Sequence, residues 1–222
     1  MTTNESLDEI DLIINNNAKF MPVLFLIDNS YSMTMQEKTR SRIEEVNEQV
    51  KNILQMCAED NFMNTGMEVS IITFGDTVEV RNKYTNVRET VKDYQPIQAT
   101  GFDTKLGAGV KEALEMIEDR VALYKNASKQ YYKPKMVIIS DGKATDEEEV
   151  KKQAKKVQDL LQRSRTEGGI ETYCLGIGKE AEETLKQFSK GEEIEKELSI
   201  DAFMEEFSRS MTEASRSAIE DD

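Results

Sequence analysis

Short runs of apolar residues alternate along the chain with longer segments in which apolar residues recur every three or four positions. The first pattern is typical of strands buried on both faces of a sheet, and the second is typical of amphipathic helices. The apolar runs at residues 22–27, 68–75, 135–140 and 170–176 therefore predict four buried strands. Residues 77–81 predict a fifth strand, paired with the second across a tight turn.

Between these strands, the helical spacing predicts long helices at residues 37–57, 105–124 and 146–165. Each of these helices follows a predicted strand, so strands and helices alternate through most of the chain. Shorter elements are predicted as helical segments at residues 86–94 and 181–188, a last strand at 194–198 and a C-terminal helix at 202–218.

This alternation predicts an α/β fold in three layers, with helices covering both faces of a mostly parallel sheet. The predicted hairpin adds one antiparallel strand at the edge of that sheet. We expect one domain at residues 20–222, preceded by a flexible or capping segment at residues 1–19. In such sheets ligands bind beyond the carboxyl ends of the strands, where the strand order reverses. The loops at that edge are therefore the candidates for a functional site.

Acidic residues outnumber basic residues by 43 to 29, which gives the chain a formal net charge of −14. This charge argues against binding to nucleic acid or to an anionic membrane surface, because both depend on clustered Lys and Arg. No stretch approaches the roughly 20 apolar residues of a membrane span. Residues 1–17 also lack the basic start and apolar core of a secretory signal, so we expect a cytoplasmic protein.

The chain contains no histidine and two cysteines, Cys57 and Cys174. This composition excludes catalysis by imidazole, and it excludes zinc sites built from thiolates and imidazoles. Both cysteines lie within apolar patterns, which favours two small buried side chains over a disulfide. A metal in this protein must therefore be held by oxygen atoms, which favours the hard cations Mg²⁺, Mn²⁺ and Ca²⁺.

Hydroxyl and carboxylate residues are concentrated in three loops that we expect at the carboxyl edge of the sheet. Asp28, Ser30 and Ser32 follow the first strand. Thr104 stands before the second long helix, and Asp141 follows a later strand as part of an Asp-Gly pair. The pattern resembles the metal-ion-dependent adhesion site of von Willebrand factor A domains, which consists of Asp-x-Ser-x-Ser, a distant Thr and a distant Asp. The order of predicted elements fits the same family over nearly the whole chain.

The resemblance implies the three-layer, Rossmann-like fold of these domains and a set of metal ligands. By resemblance, Ser30 and Ser32 bind the metal directly, while Thr104 and Asp141 bind it directly or through water. Asp28 holds water molecules and orients the serine hydroxyls. Neutral hydroxyls leave most of the charge of Mg²⁺ uncompensated, so an open position favours the carboxylate of an Asp or Glu from a protein partner. The expected function is a metal-dependent protein-binding module and not an enzyme.

A narrower resemblance is to stand-alone bacterial proteins of the tellurium-resistance type. It is based on the Thr-Phe-Gly strand end at 73–75, the Lys-Pro pair at 133–134, the segment 141–146 and the ending at 203–210. This resemblance implies a scaffold in a bacterial stress-response system.

The loop before Thr104 departs from the family pattern, which has a glycine pair at this point. This chain has Phe102 and Asp103 immediately before the threonine. Phe102 is expected either to stiffen the loop or to face a partner, and Asp103 to add a negative charge near the metal. Tyr31 and Met33, which flank the first loop, are interpreted either as partner contacts or as partly buried side chains.

Two other functions stay open from the sequence. A phosphohydrolase of the haloacid-dehalogenase type also places an aspartate after the first strand and uses Mg²⁺. Such an enzyme needs a second acid two residues later as general acid and base, and this chain has Ser30 there. In the other alternative the chain is a scaffold whose metal site is vestigial.

Polar and glycine residues near the motif also have local interpretations. Thr145 and Asp146 are expected to cap a helix and not to bind metal, and Asp146 has the spacing of a capping box with Glu149. Gly107 and Gly109 lack the third small residue and the preceding strand of a dinucleotide-binding motif. They are expected to allow close packing of a helix against the sheet.

Overall fold

A computed structural model of the chain describes residues 18–37, 39–177, 179–190 and Ile194. The predicted strand at 194–198 and C-terminal helix at 202–218 lie outside the described residues, except for Ile194. Most of the predicted N-terminal segment lies outside them too.

Within the described residues the strands are β1 (Met21–Asp28), β2 (Gln36–Glu37), β3 (Arg40–Ser41), β4 (Met67–Phe74), β5 (Val78–Asn86), β6 (Lys135–Ser140) and β7 (Glu171–Gly176). Five of these described strands form the central sheet in the order β5-β4-β1-β6-β7, and β5 is antiparallel to the rest. Strands β2 and β3 form a separate two-stranded ribbon.

The sheet is covered by helices on both faces, because its central strands bury side chains on each side. In β1, Leu24 and Leu26 point into one apolar core, while Val23, Phe25 and Ile27 point into the other. This explains why β1 is a continuous apolar run and not an alternating one. The predicted α/β fold, with a mostly parallel sheet and one antiparallel edge strand, is confirmed.

The two cores are closed by different helices. The helices Leu106–Asn126 (α4) and Glu147–Gln162 (α5) cover the core that contains Leu24, and Arg42–Glu59 (α1) covers the core that contains Phe25. The shorter helices are α2 (Met63–Gly66), α3 (Val87–Asp93) and α6 (Lys179–Leu185), and 3-10 turns span Tyr31–Thr34 and Lys186–Phe188.

The first long helix begins later than predicted. The prediction places its start at residue 37, but it begins at Arg42 because the preceding residues pair in the β2-β3 ribbon. Ser41 then caps it: the Ser41 hydroxyl accepts a hydrogen bond from the Glu44 N–H at 3.4 Å, and the Glu44 carboxylate accepts the Ser41 N–H at 2.8 Å. Such a capping box is a local start signal, and the apolar spacing of the helix also begins only at Ile43.

Other boundaries differ by a few residues. The predicted hairpin strand at 77–81 extends to Asn86, with two irregularities in its register against β4. The helix predicted to end at 165 ends at Gln162. Cys57 and Cys174 are buried free thiols, as expected. In the part of the chain that the structure describes, no helix has the length and apolar character needed to cross a bilayer.

The strand order reverses at β1, which lies between β4 and β6 and runs parallel to both. The carboxyl ends of all three strands therefore meet at one edge of the sheet. Helix α4 is drawn close to this sheet at Gly109, where a β-carbon would crowd Leu26 and Phe74. The predicted packing of a helix against the sheet is confirmed for Gly109, but it is wrong for Gly107, where a β-carbon would collide with the backbone of helix α5.

Candidate metal site

Three loops converge at the carboxyl edge of the sheet and are joined through their backbones. The Asn29 carbonyl, after β1, accepts hydrogen bonds from the N–H groups of Thr100 at 2.9 Å and Gly101 at 3.3 Å. The Thr145 N–H, after β6, donates to the Thr104 carbonyl at 2.9 Å, and the Thr104 N–H donates to the Thr145 hydroxyl at 3.2 Å. The loops that carry the predicted ligands therefore form one connected surface.

Three of the predicted ligands are in direct contact. The hydroxyl oxygens of Ser30 and Ser32 lie 3.0 Å apart, and the Ser32 hydroxyl donates to Asp141 Oδ1 at 2.6 Å. Thr104 Oγ1 and Ser32 Oγ both face Gly142, where a β-carbon would lie 3.8 Å and 3.9 Å from them. The structure thus joins the Ser30 and Ser32 hydroxyls to the Asp141 carboxylate, and it places the Thr104 hydroxyl beside the neighbouring Gly142.

Asp28 lies beneath this group and is fully buried. Its Oδ1 accepts the Ser30 N–H at 2.8 Å, and its Oδ2 accepts the Ser140 hydroxyl at 2.6 Å. Burial raises the pKa of Asp28 to about 6, and the nearby charge of Asp141 acts in the same direction, although the hydrogen bonds from Ser140 and Ser30 oppose it. Asp28 therefore fixes the serine loop, and its negative charge is poorly compensated.

A cationic side chain that sequence reasoning missed also contacts the site. Arg42, the first residue of α1, donates from Nη1 to Asp141 Oδ2 at 2.8 Å. The Asp141 side chain is fully buried, and that of Arg42 is 19% exposed. The sequence places Arg42 directly after the Ser41 cap. That position predicts the first residue of a helix, but it does not predict that the Arg42 side chain contacts Asp141. The site therefore contains two carboxylates and one guanidinium.

Two further aspartates fix the backbone on either side of Thr104. Asp76 Oδ1 accepts the N–H groups of Phe102 and Asp103, both at 2.8 Å, and these hydrogen bonds lower the pKa of Asp76. Asp146 accepts the N–H groups of Gly107 at 3.1 Å and Ala108 at 2.8 Å.

The predicted capping role of Asp146 is thus wrong for its own helix. Asp146 occupies the N-cap position of α5 but makes no side-chain bond to that helix, and its carboxylate caps the start of α4. Thr145 likewise bonds to Thr104. Both contacts depend on how two helices approach each other, and the local sequence carries no signal for that.

The apolar residues near the metal-site loops differ in their exposure to solvent. Met33 is fully buried, so its interpretation as a partner contact is wrong. Tyr31 is 58% exposed and Phe102 is 84% exposed. Their rings stack with centroids 5.8 Å apart.

The donor set at this edge fits a hard divalent cation. Adjacent ligands of octahedral Mg²⁺ are about 3.0 Å apart when the metal–oxygen distance is about 2.1 Å. The 3.0 Å separation of the Ser30 and Ser32 oxygens matches that spacing, while the 2.6 Å between Ser32 and Asp141 is the length of a hydrogen bond. The described residues contain no group of three or more His, Cys, Asp or Glu suited to hold a metal.

Comparisons with known proteins point to one family. The family model of the von Willebrand factor type A domain matches residues 23–213. The chain is also similar in fold to the crystal structure of a conserved hypothetical protein, BatB, from Bacteroides thetaiotaomicron. The TM-score is 0.59 at 17% identity, over 86% of this chain and 99% of that one.

Two other solved structures share the fold at low identity. A D319A mutant of the PilB minor pilin from Streptococcus sanguinis has a TM-score of 0.57 at 11% identity, over 88% of this chain and 61% of that one. Proximal thread matrix protein 1 from the mussel byssus, described with a zinc-occupied MIDAS motif, has a TM-score of 0.50 at 17% identity, over 79% of this chain and 42% of that one. A comparison with curated proteins gives no significant match.

Proposed function

Because the chain belongs to the von Willebrand factor type A domain family, we propose that it captures an acidic side chain of a protein partner through a divalent metal ion. Domains of this family are generally protein-interaction modules without catalytic activity. We propose Ser30, Ser32, Thr104 and Asp141 as the ligands, with Asp28 positioning the serines from below.

The observation that carries this proposal is the contact between the Ser30–Ser32 hydroxyl pair of the first loop and the buried Asp141 carboxylate of another loop. When bound, a divalent cation supplies an electrophilic position that attracts a carboxylate oxygen. Ser30, Ser32 and Thr104 present neutral oxygens, so Asp141 supplies the one negative charge among the four proposed ligands. The Asp28 carboxylate accepts the Ser30 N–H and the Ser140 hydroxyl from beneath the first loop, which suits a positioning role.

We propose Mg²⁺ as the cation, with Mn²⁺ or Ca²⁺ as alternatives. All the proposed donors are oxygen atoms, which these hard cations prefer. Zinc occupies the MIDAS motif of the mussel protein, and that finding concerns the mussel protein alone.

Calorimetric titration with Mg²⁺ and with Mn²⁺ tests the metal site directly. We expect one site in the wild-type protein and none in Asp141→Ala or in the double variant Ser30→Ala/Ser32→Ala. Asp159→Ala is the matched control, because Asp159 is an exposed acid on helix α5, outside the three loops, and should leave metal binding intact. Circular dichroism should show an unchanged fold in every variant. Metal binding that persists in Asp141→Ala would overturn the proposal.

Partner capture is tested with a blocked peptide that contains a single Asp. We expect binding in Mg²⁺, none in EDTA and none for the same peptide with Asn. Because the interaction at the metal is local, raising the salt concentration alone should weaken it little.

We also propose that the chain acts as a scaffold in a bacterial stress-response system. This rests on the narrower sequence resemblance to tellurium-resistance-type proteins. A pull-down from bacterial cells in Mg²⁺ and in EDTA tests it, and the expected result is a partner recovered only with metal. The phosphohydrolase alternative predicts Mg²⁺-dependent turnover of a phosphate ester that disappears in Asp28→Asn, and we expect no turnover.

A further inference from the structure

Exposed apolar side chains of this protein are concentrated on the loops of the candidate metal site. Large apolar residues are expensive to leave in water, so an exposed group of them marks a contact surface. Six large apolar side chains are exposed in the described structure, and three of them, Tyr31, Met35 and Phe102, lie in two of the metal-site loops. The full set is Tyr31, Met35, Met56, Phe62, Val80 and Phe102.

The stacked Tyr31–Phe102 pair, here named the aromatic platform, is held in place by its backbone. The Tyr31 N–H donates to the Gly101 carbonyl, and Ser30 forms a β-bridge with Gly101. The Phe102 N–H is fixed by Asp76 at 2.8 Å. Since both backbone segments are tied down, the exposure of the two rings is a feature of an ordered loop surface. An ordered platform loses little conformational entropy when a ligand covers it.

The platform is directly adjacent to the proposed ligands. Tyr31 stands between Ser30 and Ser32, whose hydroxyls are 3.0 Å apart, and Phe102 stands two residues before Thr104. Consecutive α-carbons are about 3.8 Å apart, and an aromatic side chain is longer than that distance. A residue next to a carboxylate bound at these hydroxyls would therefore be within reach of the platform.

We propose that the aromatic platform selects partner segments in which a bulky apolar side chain stands next to the metal-bound Asp or Glu. This inference rests on the proposed metal-dependent function and specifies the partner. The net charge of −14 repels an acidic partner at long range. An apolar contact is insensitive to that repulsion, so it adds affinity that the acidic residue alone does not supply. A second copy of the chain fits less well, because two such charges would oppose association.

Isomeric peptides provide the test, because the protein contains no tryptophan and a peptide tryptophan can be followed by its fluorescence. Both peptides are blocked at their ends and contain one Asp and one Trp among Ser and Gly. In the first the Trp is next to the Asp, and in the second four residues separate them. In Mg²⁺ we expect the first to bind wild-type protein about five- to tenfold more tightly, as partial burial of one aromatic side chain predicts.

Variants of the platform assign that preference to specific residues. In Phe102→Ala and in Tyr31→Ala the two isomers should bind equally, with the Mg²⁺ affinity from calorimetry unchanged. Phe62→Ala is the matched control, since Phe62 is 53% exposed, precedes β4 at the opposite end of the sheet, and should leave the preference intact. Tyr31→Phe keeps the ring and should also keep the preference.

Three results would overturn the inference, and they separate it from the proposed function. Equal, metal-dependent binding of both isomers to the wild-type protein would refute the platform and leave the metal site standing. A parallel loss of Mg²⁺ affinity in Phe102→Ala would show that the ring only supports the loop. Absence of metal-dependent binding by either isomer would refute the proposed function itself, and the inference with it.

Discussion

The two ends of the central sheet both bury carboxylates, yet they compensate the negative charge differently. At the amino end, Glu68 is the second residue of β4 and accepts hydrogen bonds from Arg120 Nη2 at 2.6 Å and Arg120 Nε at 2.8 Å. The Tyr124 hydroxyl also donates to this carboxylate. Burial alone would lower the pKa of Arg120, but the hydrogen bonds and charge of Glu68 raise it instead. This cluster is neutralised by a cation of the protein itself.

At the carboxyl end, the compensation is incomplete. Asp28 and Asp141 carry two negative charges, and Arg42 brings one positive charge to Asp141. Among the described residues, the other donors that reach these carboxylates are serine hydroxyls and a backbone N–H. Helix α4 spans both regions, since it starts beside Thr104 and carries Arg120 near its end. One end thus contains its own counter-charge, while the other has the excess negative charge that the proposed cation would offset.

The largest effect should come from breaking the pair at the amino end. Arg120→Met leaves the buried Glu68 carboxylate without its cation, which should lower the free energy of unfolding by about 3–5 kcal/mol. Urea denaturation measures this, and Mg²⁺ affinity should not change. The triple variant Glu68→Leu/Arg120→Met/Tyr124→Phe should recover most of the loss, because it removes the charges and the hydroxyl together. A loss below about 1 kcal/mol in Arg120→Met would contradict the contrast between the two ends.

The next effect concerns pH at the carboxyl end of the metal-free protein. The folded-state pKa of Asp28 is raised from 3.8 to about 6, so the folded state holds this proton more tightly than the unfolded state. The resulting stabilisation is fully present below about pH 4 and is lost as the pH rises through about 6. The loss from this group is about 3 kcal/mol.

Comparison with Asp28→Asn isolates this group from other titrations. In EDTA, the free energy of unfolding of the variant relative to wild type should increase by about 2.4 kcal/mol between pH 4 and pH 7. Denaturant titrations at several pH values measure the difference. A difference that stays constant over this range would mean that Asp28 is not destabilised by its burial.

Metal addition should stabilise the protein through the carboxyl-end site alone. At a Mg²⁺ concentration 100 times the dissociation constant, the wild-type free energy of unfolding should rise by about 2.7 kcal/mol. Asp141→Ala should show no such rise, and Arg120→Met should show all of it despite its lower starting stability. An equal rise in Asp141→Ala would place the stabilising ion elsewhere.

The smallest effect should come from Arg42. Its guanidinium forms an ion pair with the Asp141 carboxylate, which we propose as a metal ligand, so the positive charge of Arg42 repels an incoming cation. Arg42→Ala should tighten Mg²⁺ binding about three- to tenfold, which corresponds to about 1 kcal/mol. Arg40→Ala is the matched control, because Arg40 pairs with Glu48 on the surface. Weaker binding in Arg42→Ala, measured by calorimetry, would show that the arginine supports the site.

The sequence was sufficient to predict the core strands, because a continuous run of apolar residues is a local pattern. The run Lys135–Ser140 was predicted to the residue, since a strand buried on both faces is uniformly apolar and bounded by polar residues. The edge strand Val78–Asn86 was predicted too short, because its exposed face is polar and its register is irregular. The predicted start of α1 at residue 37 is wrong, although Ser41 and Glu44 carry a capping signal, because the polar residues 37–41 are compatible with either a helix or a strand ribbon.

At the site, the sequence predicted which residues are candidate ligands, but it did not predict which other side chains contact them. Asp28, Ser30, Ser32, Thr104 and Asp141 were predicted from their positions after strands and before a helix, and the structure brings them to one edge. The contacts of Arg42 and Ser140 were missed, because they depend on how separate elements pack and no local pattern encodes that.

The most direct test of the metal site is a crystal structure of the protein grown with Mn²⁺, with anomalous diffraction recorded to locate the ion. We predict one anomalous peak in contact with the hydroxyl oxygens of Ser30 and Ser32 and on the same side as Asp141 and Thr104. Diffraction that shows no peak at these oxygens, or a peak only at other surface carboxylates, would contradict the proposed site.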